Sequence, residues 1–307
     1  MVATREVYWN ISHVWVMYTL FAAAALIFAN GIYRHIAAWR SGRPTSTPFR
    51  LARLGNLAYY GFGQARLLRQ RYAGIFHALL FIGFVLLFVG TLVVMAQVDF
   101  GLPIMQGAFY LYFQSLALDI AGLCALVGLT MALARRLFFK PERLANSWRD
   151  AIAAPALIVI LLTGYTLHGL RIVATQDPWA AWAPVSALVG GFYAAILPAA
   201  AIRPLHASLW WFHLVLVLSL MAALPYLKLL HIFTSPLNIY LRPLDRKGAV
   251  LQPIDLETAA NFGVKSLEEF SWKGLLDLDA CTECGRCQEA CPAYASGKPL
   301  SPKSLIL

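Results

Sequence analysis

Four cysteines late in the chain have the spacing of an iron–sulfur ligand set. Cys281, Cys284, Cys287 and Cys291 follow the pattern Cys-x2-Cys-x2-Cys-x3-Cys, and Pro292 comes directly after the last of them. Thiolates are the usual ligands of iron–sulfur clusters, and this run is one that holds [4Fe–4S] clusters. The spacing therefore predicts an electron-transfer cofactor at residues 281–291.

The role of the fourth cysteine stays open at this stage. In proteins with two such clusters, the cysteine before the proline ligates the other cluster, so a second run is expected. Residues 1–307 contain one run, and we therefore expect the chain to be a fragment. The alternatives are that a partner supplies the second run, or that one cluster takes all four thiolates. A zinc site and a disulfide are the competing interpretations of the cysteines.

Histidines in the apolar part of the chain form a second candidate set. His213 and His231 are 18 residues apart. On one straight helix this is five full turns, so both would face the same side about 27 Å apart. Neutral imidazole is a common axial haem ligand, so the spacing predicts b-type haem near each membrane surface. Histidines bonded to water or lipid headgroups are the alternative. His77 is predicted to lie level with His231 and His168 level with His213, where His206 competes for the outer site.

One acidic residue lies inside an apolar run. Asp119 would sit at membrane depth, where an ionisable group is costly and therefore a functional candidate. It could relay protons to a quinone, or it could pair with a cation such as Arg171. Glycine-rich nucleotide-binding loops are absent from the sequence, so no flavin or nicotinamide site is predicted.

The composition is that of an integral membrane protein. The chain is 60% hydrophobic and 13% charged, with a mean hydropathy of +0.63. Such a sequence is too apolar for a soluble domain of this length. Five membrane spans are predicted, at 14–32, 75–95, 109–134, 151–174 and 209–233. A weaker stretch at 185–202 contains Gly190, Gly191 and Pro198, and we predict an outer-face loop or re-entrant segment there.

The net charge of +10 reflects topology rather than nucleic-acid binding. Eight arginines lie between spans one and two, and five basic residues lie between spans three and four. The opposite loops carry few. Because cytoplasmic loops are enriched in Lys and Arg, the N-terminus is predicted outside and the cysteines inside, where thiols stay reduced.

These observations predict an all-α integral membrane bundle of five transmembrane helices, N-out and C-in, followed by the start of a ferredoxin-like [4Fe–4S] domain. The predicted organisation is a cytochrome b-like membrane domain at 1–236, a connector at 237–278 and a truncated cytoplasmic ferredoxin-type domain at 279–307.

Two stretches of the membrane part resemble the respiratory nitrate reductase gamma subunit family. The segment from His213 to His231 is similar to the last helix of that family, and the segment from His77 to Thr91 is similar to its second helix. The resemblance implies a five-helix, N-out di-haem cytochrome b that exchanges electrons with quinol, with haem ligands at His213 and His231. That family has two histidines on the second helix, whereas this chain has one and carries Thr91 after Phe-Val-Gly. The outer haem thus lacks an expected ligand, for which His168 is the predicted substitute, or this haem is absent.

The stretch 272–302 resembles the iron–sulfur region of heterodisulfide-reductase-like membrane oxidoreductases of the electron-transfer-flavoprotein:quinone oxidoreductase type. The resemblance implies a quinone-linked oxidoreductase of the prokaryotic cytoplasmic membrane. Electrons from a cytoplasmic donor, electron-transfer flavoprotein, would pass through [4Fe–4S] clusters and one or two b haems to quinone. The alternatives are a quinol-oxidising subunit of a heterodisulfide- or sulfur-compound-reducing complex, and a redox-sensing membrane transporter.

Overall fold

The computed structural model describes residues 2–47, 49–144, 148–244, 255–258 and 262–307, and these residues form helices without a β-strand. Five helices are long and apolar enough to cross a membrane, which confirms the predicted five-span architecture. The helices used below are α1 Val14–Arg40, α2 Leu51–Asn56, α3 Arg71–Asp99, α4 Gly107–Phe139, α5 Trp148–Thr175, α6 Pro184–Ile196, α7 Ala199–Ala223, α8 His231–Leu241, α9 Trp272–Asp279, α10 Arg286–Glu289, α11 Pro292–Ala295 and α12 Pro302–Ile306.

The long helices fit a bilayer in both length and surface. The 29 residues of α3 rise about 44 Å at about 1.5 Å each, more than the hydrocarbon core of about 30 Å. Large apolar side chains point outward: Leu26 on α1 is 73% exposed and Phe88 on α3 is 63% exposed. Such surfaces are stable against lipid, and the helical backbone satisfies its own hydrogen bonds there.

The predicted boundaries of the fifth span are wrong. The apolar helix α7 begins at Ala199 and ends at Ala223, rather than running from 209 to 233. The residues of the weak sixth candidate divide between two elements: α6 has 13 residues and rises only about 20 Å, and the residues from Ala199 onward belong to α7. Leu197 has extended dihedrals and Pro198 follows it, which separates the two helices.

The chain divides into two compact units. The first comprises Met1–Ala25, Leu67–Phe139 and Ala151–Ala222. Within it, α3 and α4 approach closely at glycines: a β-carbon at Gly83 would lie 2.6 Å from the carbonyl oxygen of Ala121. Small residues at such crossings are typical of helices packed in a membrane. A core between α4 and α5 is formed by Ala125, Leu129, Leu157 and Leu161.

The second unit comprises Leu26–Arg66, Lys140–Asp150 and Ala223–Leu307. Arg53 of α2 is buried and donates from one guanidinium nitrogen to the backbone carbonyls of Tyr240 and Arg242, which ties α2 to the end of α8. An isolated β-bridge pairs Arg43 with Ser271 just before α9. Of the predicted connector, residues 245–254 and 259–261 lie outside the described residues.

A break separates α7 from α8. The prediction that His213 and His231 face the same side of one straight helix is therefore wrong. Pro225 has no N–H to continue the helical ladder, and Leu227 takes extended dihedrals of −109° and 169°. Two single 3₁₀ turns, Leu224–Tyr226 and Lys228–Leu230, lead into α8. His213 and His231 therefore lie on different helices, and the distance calculated for one straight helix does not apply.

Candidate functional site

The four cysteines lie on a loop between α9 and α12 that contains two very short helices. Cys281 follows α9, Cys287 lies in α10, and Cys291 caps α11 with Pro292 in its first turn. Gly285 has a φ of +71°, and a β-carbon there would lie 2.6 Å from the Arg143 carbonyl oxygen, so the position requires glycine for two reasons.

The donor set of this loop fits an iron–sulfur cluster. All four thiols are free of disulfides; Cys287 is exposed and the other three are half-buried. Across the described ranges, no group of three or more His, Cys, Asp or Glu side chains gathers to hold a metal ion. Because a [4Fe–4S] cluster is ligated by four cysteine thiolates, the relevant observation is four thiols on one loop, which the chain provides.

The segment before α5 supports the cysteine loop. Arg143 forms an ion pair with Glu289 of α10. The carbonyl of Arg143 accepts a hydrogen bond of 3.0 Å from the Lys303 ammonium, whose residue is 7% exposed on α12. Because Gly285 lies against the same carbonyl, this one segment contacts the loop at both ends of α10.

The end of α1 supports the loop from the Cys281 side. Asp279 Oδ2 accepts hydrogen bonds from His35 Nδ1 at 2.8 Å and from Trp39 Nε1 at 2.6 Å. The other ring nitrogen of His35 donates to the carbonyl of Pro225 at 3.0 Å. His35 therefore joins the residue two before Cys281 to the break between α7 and α8.

His231 begins α8 with its ring oriented by the backbone. Its Nδ1 donates to the carbonyl of Lys228 at 2.6 Å, which places a ring proton on Nδ1. A histidine with one ring N–H bonded to a carbonyl is the usual arrangement of a metal ligand. His231 lies outside the five spans, and burial lowers its pKa, an effect that outweighs the hydrogen bond to Lys228. The ring is therefore neutral at neutral pH, as ligation requires.

His213 on α7 is oriented in a similar way by α5. Its Nδ1 lies 2.7 Å from Thr163 Oγ1. The Thr163 hydroxyl donates to the carbonyls of Val159 and Ile160, so the imidazole is the donor in this bond and its Nε2 keeps the lone pair. Both histidines at the 18-residue spacing thus have the donor chemistry of a haem ligand.

His168 differs, because both of its ring nitrogens are engaged. Arg171 donates to Nε2 at 3.0 Å, and Nδ1 lies 3.0 Å from Ser186 Oγ. The Ser186 hydroxyl donates to Asp119 Oδ1, so it accepts from His168. This arrangement leaves no ring nitrogen of His168 free for iron.

Asp119 holds the start of α6. Its Oδ2 accepts from the Val185 N–H at 2.7 Å, and its Oδ1 accepts from the N–H and hydroxyl of Ser186 at 3.1 and 2.5 Å. An anion at a helix N-terminus is stabilised by the unpaired N–H groups there. Arg171 forms its ion pair with Asp177 at 2.7 Å. The contacts of Asp119 are those of an anchor between α4 and α6.

Two further predicted histidines have different surroundings. His77 is half-buried on α3. His206 on α7 is 5% exposed, its Nδ1 is buried without a hydrogen-bond partner, and its ring meets Trp9 edge-on at 4.9 Å. An unsatisfied buried ring nitrogen makes His206 a better candidate for an outer ligand than its sequence position suggested.

Sequence reasoning missed the residues that orient the candidate ligands. Thr163, Ser186 and His35 act across 50, 67 and 244 residues of chain from His213, Asp119 and Asp279 respectively. Sequence reasoning also missed the ammonium of Lys228, which lies 2.7 Å from Glu283 of the cysteine loop. The sequence signal for these contacts is the pair of acidic residues that flank Cys281, Asp279 and Glu283. A half-buried carboxylate requires a hydrogen-bond or charge partner.

Comparison with known proteins covers both the membrane part of the chain and the cysteine loop. The family profile described as nitrate reductase gamma subunit matches residues 64–246, and a 4Fe-4S binding domain profile matches residues 272–293. The chain is 35% identical to the EtfAB:quinone oxidoreductase of Syntrophomonas wolfei subsp. wolfei, over all of this chain and 44% of that protein. It is 29% identical to the probable iron-sulfur-binding oxidoreductase FadF of Bacillus subtilis (strain 168), over 80% of this chain and 35% of that protein.

A third relative is the probable membrane-anchored ferredoxin of Chromohalobacter salexigens, which is 35% identical over 38% of this chain and 20% of its own length. The chain spans less than half the length of these relatives. No solved structure matches it.

Five apolar helices followed by a four-cysteine loop define a membrane protein that carries a 4Fe-4S binding domain. The chain belongs to the nitrate reductase gamma subunit family, whose profile covers more than half of it.

Proposed function

We propose that this chain transfers electrons between a cytoplasmic donor protein and membrane quinone. Cys281, Cys284 and Cys287 ligate a [4Fe–4S] cluster, and Cys291 ligates the same cluster or a second one. His231 and His213 ligate b-type haem. When bound, these groups carry electrons one at a time, while the chain positions them and tunes their potentials. The observation that carries the proposal is that His231, with its oriented ring, lies in the same compact unit as the four thiols.

The partners of this reaction are proposed from similarity and charge. The name of the Syntrophomonas relative supports electron-transfer flavoprotein as the donor and quinone as the acceptor. The basic segments flanking α2 and preceding α5 support an N-out, C-in orientation in a prokaryotic cytoplasmic membrane, with the cysteine loop inside. These loops would also contact anionic lipid headgroups.

The remaining haem ligands stay predictions. His77 is proposed as the second ligand to the haem at His231, a pairing that rests on the sequence. For the haem at His213, the hydrogen bonds of His168 argue against its use, and the unpartnered Nδ1 of His206 is the alternative.

The experiment that tests the function is His231→Ala in the full-length protein, with His13→Ala as the matched control. His13 is exposed, and its Nδ1 lies 3.1 Å from the neighbouring Ser12 hydroxyl. We expect His231→Ala to remove one haem per chain and quinone reduction by the donor, with the iron–sulfur clusters retained. His13→Ala should retain all three. Quinone turnover at the wild-type rate in His231→Ala would show that the proposed path is wrong.

A further inference from the structure

We propose that Lys228 is a positioning residue that fastens the cysteine loop to the segment bearing His231. This inference rests on the proposed function, because its purpose is to fix the separation of two cofactors. It concerns contacts within one compact unit, whose members include the break at 224–230, the start of α8 and the cysteine loop.

Lys228 contacts both cofactor-bearing segments at once. Its ammonium pairs with Glu283 Oε2 at 2.7 Å, between Cys281 and Cys284, and the two side chains are 19% and 20% exposed. Its backbone carbonyl accepts the Nδ1–H of His231 at 2.6 Å. A single residue thus holds the cysteine loop through its side chain and orients the candidate haem ligand through its main chain.

The local backbone makes this double contact possible. Pro225 ends α7, and the extended Leu227 starts a new turn at Lys228. On the other side, Glu283 has a φ of +55°, which is uncommon for a residue with a side chain. A non-glycine residue held in this conformation indicates that the surrounding contacts determine it.

A second bridge runs parallel to the first. Asp279 is bonded to His35, and His35 is bonded to the carbonyl of Pro225. Cys281 therefore lies between two residues, Asp279 and Glu283, that both lead to the same 225–231 segment. Both partners of the His35 ring, the Asp279 carboxylate and the Pro225 carbonyl, are hydrogen-bond acceptors. Two bridges around one cysteine fix the loop against rotation as well as displacement.

The Lys228–Glu283 pair matters for function because the rate of electron transfer falls steeply as the distance between two cofactors increases. A half-buried, charge-assisted pair is stronger than an exposed one, since less water screens it. We expect its loss to raise the population of the undocked loop about tenfold. The segment at 225–231 should loosen with the loop, because the same residue belongs to both.

The test is a charge swap in the full-length, cofactor-loaded protein. Lys228→Glu and Glu283→Lys each create a like-charge pair, and the double variant restores opposite charges. Lys298→Glu is the control, because Lys298 is exposed and lies outside both measured segments. Amide hydrogen exchange is measured at 225–231 and 281–291, and the rate of haem reduction after cluster reduction is measured in parallel.

We expect each single variant to speed exchange in both segments about tenfold and to slow haem reduction, and the double variant to recover both. Lys298→Glu should leave exchange in both segments at the wild-type rate. If a single charge reversal prevents folding, Lys228→Met keeps the stem without the charge and should show the same coupled exchange. Unchanged exchange at 225–231 in Glu283→Lys, or no recovery in the double variant, would overturn the inference. A protein that lacks haem but shows the coupled exchange would contradict the proposed function alone.

Discussion

Asp119→Ala separates the two roles that the sequence left open for this residue. The carboxylate is 5% exposed and accepts three hydrogen bonds from Val185 and Ser186 at the start of α6. If these bonds anchor α6, their loss should lower stability while each folded molecule still turns over. If Asp119 instead relays protons, turnover should fall and stability should change little.

The size of the stability loss follows from the number of bonds. Hydrogen bonds between membrane helices contribute about 0.6 kcal/mol on average and about 1.7 kcal/mol at most. Three bonds therefore predict a loss of about 2–5 kcal/mol in the free energy of unfolding. A loss near the upper end is expected because the acceptor is charged and the donors belong to a helix N-terminus.

The assay is unfolding in detergent, followed by quinone turnover per folded molecule. Asp99→Ala is the control, since Asp99 lies at the exposed end of α3 and accepts one bond, from the Tyr18 hydroxyl at 2.6 Å. It should lose less stability than Asp119→Ala. Wild-type stability in Asp119→Ala together with abolished turnover would refute the anchoring role.

Two further predictions concern the positions that shape the cofactor sites. Gly285→Ala should lower the iron bound per chain, because the new β-carbon meets a carbonyl at 2.6 Å, whereas Gly297→Ala, at a φ of +76° in open space, should retain iron; equal iron content in the two variants would contradict this. Thr163→Val should weaken haem retention about 10–100-fold, since it removes the hydrogen-bond partner of His213. Thr166→Val breaks a bond within α5 alone and should retain haem. Haem titration of the purified variants measures both, and equal haem retention would contradict the prediction.

The features that the sequence predicted correctly depend on short stretches of chain. Composition and spacing predict the five apolar runs and the cysteine run. Lipid contact and cluster ligation each restrict which residue types can occur along a short stretch of chain. The predicted start of α7 is ten residues late, because composition alone does not mark the ends of a helix. Apolar residues continue on both sides of Pro198 and Pro225, so hydropathy gives no sign of where the helix begins and ends.

The contacts that orient the candidate ligands could not be predicted, because they join residues far apart in the chain. Thr163 meets His213 across 50 residues, and Lys228 meets Glu283 across 55. A histidine at helical spacing indicates a ligand, but only a packed structure shows which ring nitrogens are already bonded. His168 illustrates this point, since its position favoured haem and its two hydrogen bonds do not.

The most direct test of the account is a dithionite-reduced minus oxidised absorption spectrum of the full-length protein, with haem and iron quantified per chain. The account predicts one or two b-type haems together with iron–sulfur clusters. Iron–sulfur clusters without haem would contradict the assignment of His231 and His213, and would leave electrons passing from the cluster to quinone without a cytochrome.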